Sequence, residues 1–127
     1  MWTVVGQIQP PKSFEPFEPL DILVWYDGPK TFTVGRESGT VFLAHWCCSS
    51  AELDRYLLVP IADAELDRLK AGTDPLRPAL TDSPRHYVLD LKADQSVAAV
   101  WRVRIQDVPD DVLPHPDARL NFQPHVS

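Results

Sequence analysis

Thirteen prolines in 127 residues, about double the usual frequency, set the strongest limit on what this chain can fold into. Proline lacks a backbone N–H, and its ring clashes with the preceding helical turn, so prolines at this density exclude a bundle of long helices. Most of them fall at the ends of expected elements or in the terminal segments. The pattern points to strands, loops and short helices.

Trp2 to Ile8 reads as a short strand. Pro10 to Pro19 reads as a stiff, extended lead-in carrying Phe14 and Phe17, which either pin it to the domain or face a partner. Leu20 to Tyr26 is the first well-marked strand, with Leu20, Ile22, Val24 and Tyr26 sharing one face at a period of two and Trp25 opposite. In the turn that follows, Gly28 tolerates positive φ and Pro29 fixes φ at the exit. Thr31 to Gly35 alternates threonine with apolar residues, which suits a half-buried strand.

Glu37-Ser38-Gly39 reverses the chain into Thr40 to Cys48. There Val41, Leu43, His45 and Cys47 share one face, and Phe42, Ala44, Trp46 and Cys48 share the other. Both faces are largely apolar, so this strand is expected at the centre of a sheet covered on both sides. Arg55 to Ile61 is a second such run. Asp63 is expected to cap a helix over 64–71 that closes on Gly72, and Asp74 to cap a turn that starts at Pro75 and ends near Leu80.

A hairpin follows. Tyr87, Leu89 and Leu91 alternate with His86, Val88, Asp90 and Lys92, and Asp94-Gln95-Ser96 turns the chain. On the return strand Val97, Ala99, Trp101, Val103 and Ile105 form one face, opposite Ala98, Val100, Arg102 and Arg104. Pro109 to Pro114 suits one helical turn, and the tail beyond Phe122 is expected to be loose.

The segments Tyr26-Asp27-Gly28-Pro29, the Trp46 strand, Tyr56-Leu57-Leu58-Val59-Pro60, Leu76-Arg77-Pro78-Ala79-Leu80 and Pro114 with Ala118-Arg119-Leu120-Asn121-Phe122 together resemble an uncharacterised family of small bacterial domains. The similarity runs from about Leu20 to Phe122. It implies domain limits and brings no activity, cofactor or catalytic residue with it. Pro78 departs from the family's more helix-compatible residue, and the Pro-rich lead-in looks like an addition.

The net charge of −6 argues against a general nucleic-acid or anionic-membrane binder, which needs clustered Lys and Arg, and is compatible with a basic protein partner. Residues 1–9 lack the basic start and apolar run of a signal peptide, and no stretch approaches the roughly 18 apolar residues of a membrane span. Cys47 and Cys48 are adjacent, which precludes a long-range disulfide framework. A cytoplasmic location is expected.

Four residues carry the catalytic candidacies. His45 and Cys47 on one side of a strand would give zinc two ligands, but no paired Cys or His motif completes four. A nucleophilic thiol could pair as Cys47 with His86 or Cys48 with His45. Against this, cysteines on a doubly covered strand are by default small hydrophobes. The acids Glu52/Asp54, Asp63/Glu65/Asp67 and Asp110/Asp111 could serve a hydrolase, yet capping and turns already account for them.

The expectation is therefore an α+β single domain, a mostly antiparallel five- to six-stranded sheet with one short helix and one or two helical turns. It comprises a lead-in over 1–19, the domain over 20–122 and a loose tail over 123–127. The expected function is non-catalytic: a protein-binding, accessory or regulatory module, immunity-like or a complex subunit, without cofactor or metal. Its contact residues would be Trp25, Tyr26, Asp27, Arg102, Arg104, Phe14 and Phe17, and a homodimer through a sheet edge is open. The alternative is a small Cys-dependent or carboxylate-based hydrolase.

Overall fold

Segments with apolar residues at a period of two assemble into one antiparallel sheet in the computed structural model, which describes residues 4–15, 17–25, 29–37 and 39–120. The strands are β1 (Val4–Ile8), β2 (Pro19–Trp25), β3 (Pro29–Glu37), β4 (Thr40–Ser49), β5 (Leu53–Ala62), β6 (Tyr87–Lys92) and β7 (Val97–Val103). Two short helices, α1 (Asp63–Lys70) and α2 (Leu76–Thr81), lie between β5 and β6. The spatial order is β1-β7-β6-β5-β4-β3-β2.

The sheet has seven strands, not five or six. The difference is β1, which crosses from the lead-in to pair with β7 at the far edge, Gln7 opposite Trp101 and Ile8 opposite Val100. The N-terminal segment is thus built into the sheet, and β1 and β2, neighbours in sequence, form its opposite edges. The expected central strand is interior to the sheet: β4 pairs with β5 from Thr40 to Ser49 and with β3 from Thr40 to His45.

Two separate cores follow from the alternation. On the helix face, Val41, Leu43, Leu57, Val59, Ile61 and Val88 pack under Leu66 and Leu69 of α1 and Leu76 and Leu80 of α2. On the connector face, Phe32, Val34, Ala44, Tyr56, Leu58, Leu89 and Val100 pack with Phe14 and Phe17 of the chain between β1 and β2. That chain is not simply extended. Lys12–Phe14 makes one 3-10 turn that drops the Phe14 ring onto the sheet, edge-on to Phe17 at 5.5 Å and to Phe42 at 5.4 Å.

Gly35 makes room for this ring. It has φ +71°, and a Cβ built there would stand 2.6 Å from Phe14 Cε1. Only glycine accepts both the left-handed backbone and the contact.

The helix starts differ by one residue from the capping expectation. Asp63 is the first helical residue and makes no cap; its carboxylate accepts from Arg36 at 2.7 Å while its N–H donates to the Gly39 carbonyl. Pro75 stands at the cap position of α2, and Asp74 accepts from Arg68 Nε at 2.9 Å. Pro78 is tolerated because it falls in the first turn, where its missing N–H has no helical acceptor to lose. Gly72, at φ +75°, closes α1 as expected: its N–H bonds the Leu69 carbonyl and that of Thr73 bonds the Arg68 carbonyl.

The C-terminal segment is latched to α2. The Leu76 N–H donates to the Ala118 carbonyl at 2.9 Å, Arg77 reaches the Pro114 carbonyl at 3.0 Å and the Asp110 carboxylate, and Arg119 returns to the Gly72 carbonyl at 3.1 Å. Leu120 is buried in the helix-face core. Two of the motifs that carry the family resemblance therefore hold each other, which gives them a folding role.

Candidate functional site

A polar row crosses the helix face where α1 and α2 do not cover it. Cys48, Arg55 and Asp90 stand in register on β4, β5 and β6. Asp90 is only 3% exposed, so its charge needs partners, and it has them. Arg55 donates to both carboxylate oxygens, at 2.9 and 3.0 Å, and the Trp101 indole N–H adds a third bond at 3.0 Å. The Arg55 guanidinium is held more firmly protonated than usual, chiefly by its hydrogen bonds to Asp90. A cleft of about 630 Å³ opens beside this row, between Cys48, Leu53 and Arg55 on the sheet and Pro109 and Val112 above it.

Asp90 was not singled out by its sequence pattern, because in β6 it alternates with Tyr87, Leu89 and Leu91 as a solvent-facing residue would. The signal that could have found it is the shared apolar character of both neighbours, β5 and β7, which leaves an acid on β6 no route to water. Its oxygens are occupied by three donors, an arrangement that ties β5, β6 and β7 together and leaves little for a substrate.

Of the cysteine and histidine candidates, Cys47, His45 and His86 are drawn into the packing and hydrogen bonding of the sheet, while Cys48 faces outward. Burial pushes the Cys47 thiol up to about 12, against weaker opposing effects of the Leu57 backbone and Arg55, and its S–H donates to the His45 carbonyl at 3.3 Å. A thiol so raised is not a thiolate at neutral pH. Burial lowers His45 to about 4, and its Nδ1 is hydrogen-bonded to Thr31 Oγ1 at 2.9 Å. His86 is buried and its Nε2 meets the Leu80 carbonyl at 2.7 Å, fixing the end of α2 to β6. Cys48 is exposed, and both thiols are free. Among the described residues, no group of three or more His, Cys, Asp or Glu is arranged to hold a metal ion.

The contact residues expected from sequence are scattered. Phe14 is 2% exposed and Phe17 packs against it and Phe32, so both are taken up by the connector-face core. Tyr26 and Asp27 lie outside the described residues. Trp25 stands at the end of edge strand β2 and is 66% exposed. It is accompanied by a stripe that the periodicity pointed to and the sheet turns outward: Leu20, Ile22 and Val24 are 47%, 39% and 37% exposed. The inward residue of β2 is Leu23. An edge strand has a neighbour on one side only, so the covered and uncovered faces of β2 cannot be told apart by period alone.

Arg102 and Arg104 come together with Arg85 around a second cleft, of about 750 Å³, at the opposite end of the sheet beside β1. Arg85 had no mark in the sequence beyond its charge; it is brought here by the turn between α2 and β6.

Among the described residues no helix is long and apolar enough to cross a membrane. Comparison with curated proteins and with solved structures finds no match. One family model does match, over residues 17–117, a span that runs from the Phe17 anchor to the latch on α2. The chain belongs to that family, a family of unknown function (DUF6575).

Proposed function

We propose that this chain is a non-catalytic protein-binding module, an accessory or regulatory subunit that receives an extended segment of another protein along β2. One observation carries the reading: Leu20, Ile22, Val24 and Trp25 are all exposed on a strand whose outer edge pairs with no described strand. From Ile22 to Trp25 this strand carries neither charge nor proline, two of the devices by which proteins ordinarily blunt such an edge, and an unblunted edge is the template for strand addition. Main-chain hydrogen bonds would supply affinity, and the stripe with Trp25 as anchor would supply specificity.

The exposed Glu15 and Glu18 just before β2, in a chain of net charge −6, favour a basic partner segment. An intracellular bacterial setting goes with the reading, since the free Cys47 and Cys48 suit a reducing compartment and the family resemblance is to bacterial domains. An immunity-like role, the capping of a basic partner by an acidic one, fits the same features.

The test is capture of a stoichiometric partner from the native lysate by the tagged protein, set against an Ile22→Lys/Val24→Lys variant and a Trp25→Ala variant. All three positions are exposed, so the folds should melt alike. The variants should lose the partner. If the same protein is recovered by all three, β2 is not the docking edge. Light scattering of the purified chain reports the competing occupant, a second copy paired through the same edge.

A further inference from the structure

The second cleft, on the other edge of the sheet, has a different chemistry. Its rim is Arg85, Arg102 and Arg104, all exposed, and its floor includes Val4, Tyr87 and Val103. Elsewhere the arginines are engaged: Arg36, Arg55, Arg68 and Arg77 each hold an aspartate, and Arg119 holds backbone carbonyls. In the cleft only Arg104 has such a bond, through Nε to Asp107 at 2.9 Å. Among the described residues, Arg85 and Arg102 have no ion-pair partner. Two unpaired guanidinium groups and a half-paired third, converging in a protein with six more acidic than basic residues, are not explained by the fold.

The cleft also borders a free main-chain edge. Among the described residues β1 pairs only with β7, with Gly6 opposite Arg102 and Val4 opposite Val103, and none of them lies within 4 Å of the point where a Gly6 side chain would begin. Val5, which faces the cleft from β1, is 60% exposed. A ligand entering here meets backbone donors and acceptors along one side, an apolar floor, and fixed positive charge above it.

We infer that this cleft binds an extended acidic peptide, which adds to the edge of β1 with its carboxylates on Arg85 and Arg102 and its alternate apolar side chains on the Val4–Val103 floor. Arginine suits this task because its planar fork takes a carboxylate through two parallel hydrogen bonds. The peptide's period of two places acids on one side and apolar residues on the other, matching the rim and the floor. The surface is separate from β2, so the module would hold segments of opposite charge at its two edges.

The test uses the full chain and fluorescence anisotropy with end-capped, labelled eight-residue peptides. One alternates Val and Glu, one alternates Val and Lys, and one is the Val-Glu peptide N-methylated at alternate residues to block strand pairing. The Val-Glu peptide should bind, the other two should not, and an Arg85→Ala/Arg102→Ala variant should weaken binding at least about tenfold with an unchanged melting temperature. Affinity should also fall as salt rises. Equal binding of the Val-Lys peptide, or indifference to the arginine substitutions, overturns the proposal. If inorganic phosphate displaces the peptide at similar concentrations and the N-methylated peptide binds as well as its parent, the cleft is a small-anion site and the peptide reading is wrong. A Trp25→Ala variant, which removes the β2 anchor without adding charge, should bind the Val-Glu peptide as the parent chain does, so this result stands or falls apart from the β2 proposal.

Discussion

Each face of the sheet carries a buried core, but the two cores are covered by different means. On the helix face, α1 and α2 lay four leucines on the strands, and the row they leave uncovered holds the Arg55–Asp90 ion pair beside an open cleft. On the connector face no described α-helix lies over the strands. A Pro-rich chain with a single 3-10 turn covers the sheet with Phe14 and Phe17, and the strand below gives up a side chain at Gly35 to receive the ring. The helix face distributes its stability over many aliphatic contacts and a few polar bonds. The connector face concentrates it in a pin and its socket, so single substitutions there should have larger and more local consequences.

Two substitutions of similar size test this contrast first. Phe14→Ala should cost about 3–5 kcal/mol, because a buried ring is lost and a stiff connector cannot collapse into the gap. Urea unfolding should show it, together with faster proteolysis within residues 9–18; a loss below about 1 kcal/mol would mean that the connector is only draped on the sheet. Asp90→Ala should cost about 3–5 kcal/mol for an electrostatic reason, since it removes both carboxylate bonds of the Arg55 guanidinium and the acceptor of the Trp101 N–H. The two should add, being on opposite faces with no shared partner.

Gly35→Ala comes next, at about 2–3 kcal/mol, from the left-handed backbone and the collision with the Phe14 ring. The informative measurement is the double variant. With Phe14 already alanine, the added methyl still meets Ser13 Oγ at 2.7 Å, so its cost should fall toward, but not to, the about 1 kcal/mol of the backbone part. Full additivity would show that the ring contributes nothing to the constraint on Gly35.

These features differ in how far they could be read from residues. The interior position of β4, the β6–β7 hairpin and the Gly72 stop were legible because each rests on a local pattern: apolar residues on both faces, alternation about a polar turn, a glycine after a helical stripe. The pairing of β1 with β7 was not, since Val4–Ile8 carries no mark of which edge it will join. The outward turn of Leu20, Ile22 and Val24 was hidden for a related reason, as periodicity identifies a shared face but not whether anything covers it. In the candidate sites, the burial of Cys47 followed from the strand pattern; the same pattern covered Cys48, which is exposed because the apolar cover ends before the end of β4, and His45, which is only half-buried. The Arg55–Asp90–Trp101 cluster and the convergence of Arg85 with Arg102 and Arg104 are products of sheet order, which no local signal encodes.

Acid should weaken the helix face and leave the connector face alone. His45 has its folded pKa lowered to about 4 from 6.5 by burial, so the unfolded chain binds the proton more readily. The stability this histidine contributes is complete above pH 6.5 and is lost as pH falls from there through 4. Between pH 7.5 and 5 the loss attributable to His45 should be about 2 kcal/mol. Chemical denaturation of the chain and of a His45→Asn variant at both pH values isolates it, because every other titrating group is common to the two. Equal slopes would mean that His45 gains a proton in the folded state without penalty.

The smallest expected effect concerns an ion pair with better geometry than its worth. Arg36 reaches Asp63 at 2.7 Å, shorter than either Arg55–Asp90 bond, yet its side chains are 52% and 45% exposed. Water screens both charges and two side chains must be ordered to meet, so Arg36→Ala should cost no more than about 0.5–1 kcal/mol. The pair does tie the β3–β4 hairpin to the start of α1, and its loss should appear as faster amide exchange at Asp63, whose N–H bonds the Gly39 carbonyl. Measured beside Asp90→Ala, it separates burial from distance as the source of an ion pair's contribution. If Arg36→Ala proved as costly as Asp90→Ala, the hairpin anchor would be holding the helix face together, and the division between a distributed face and a pinned face would have to be redrawn.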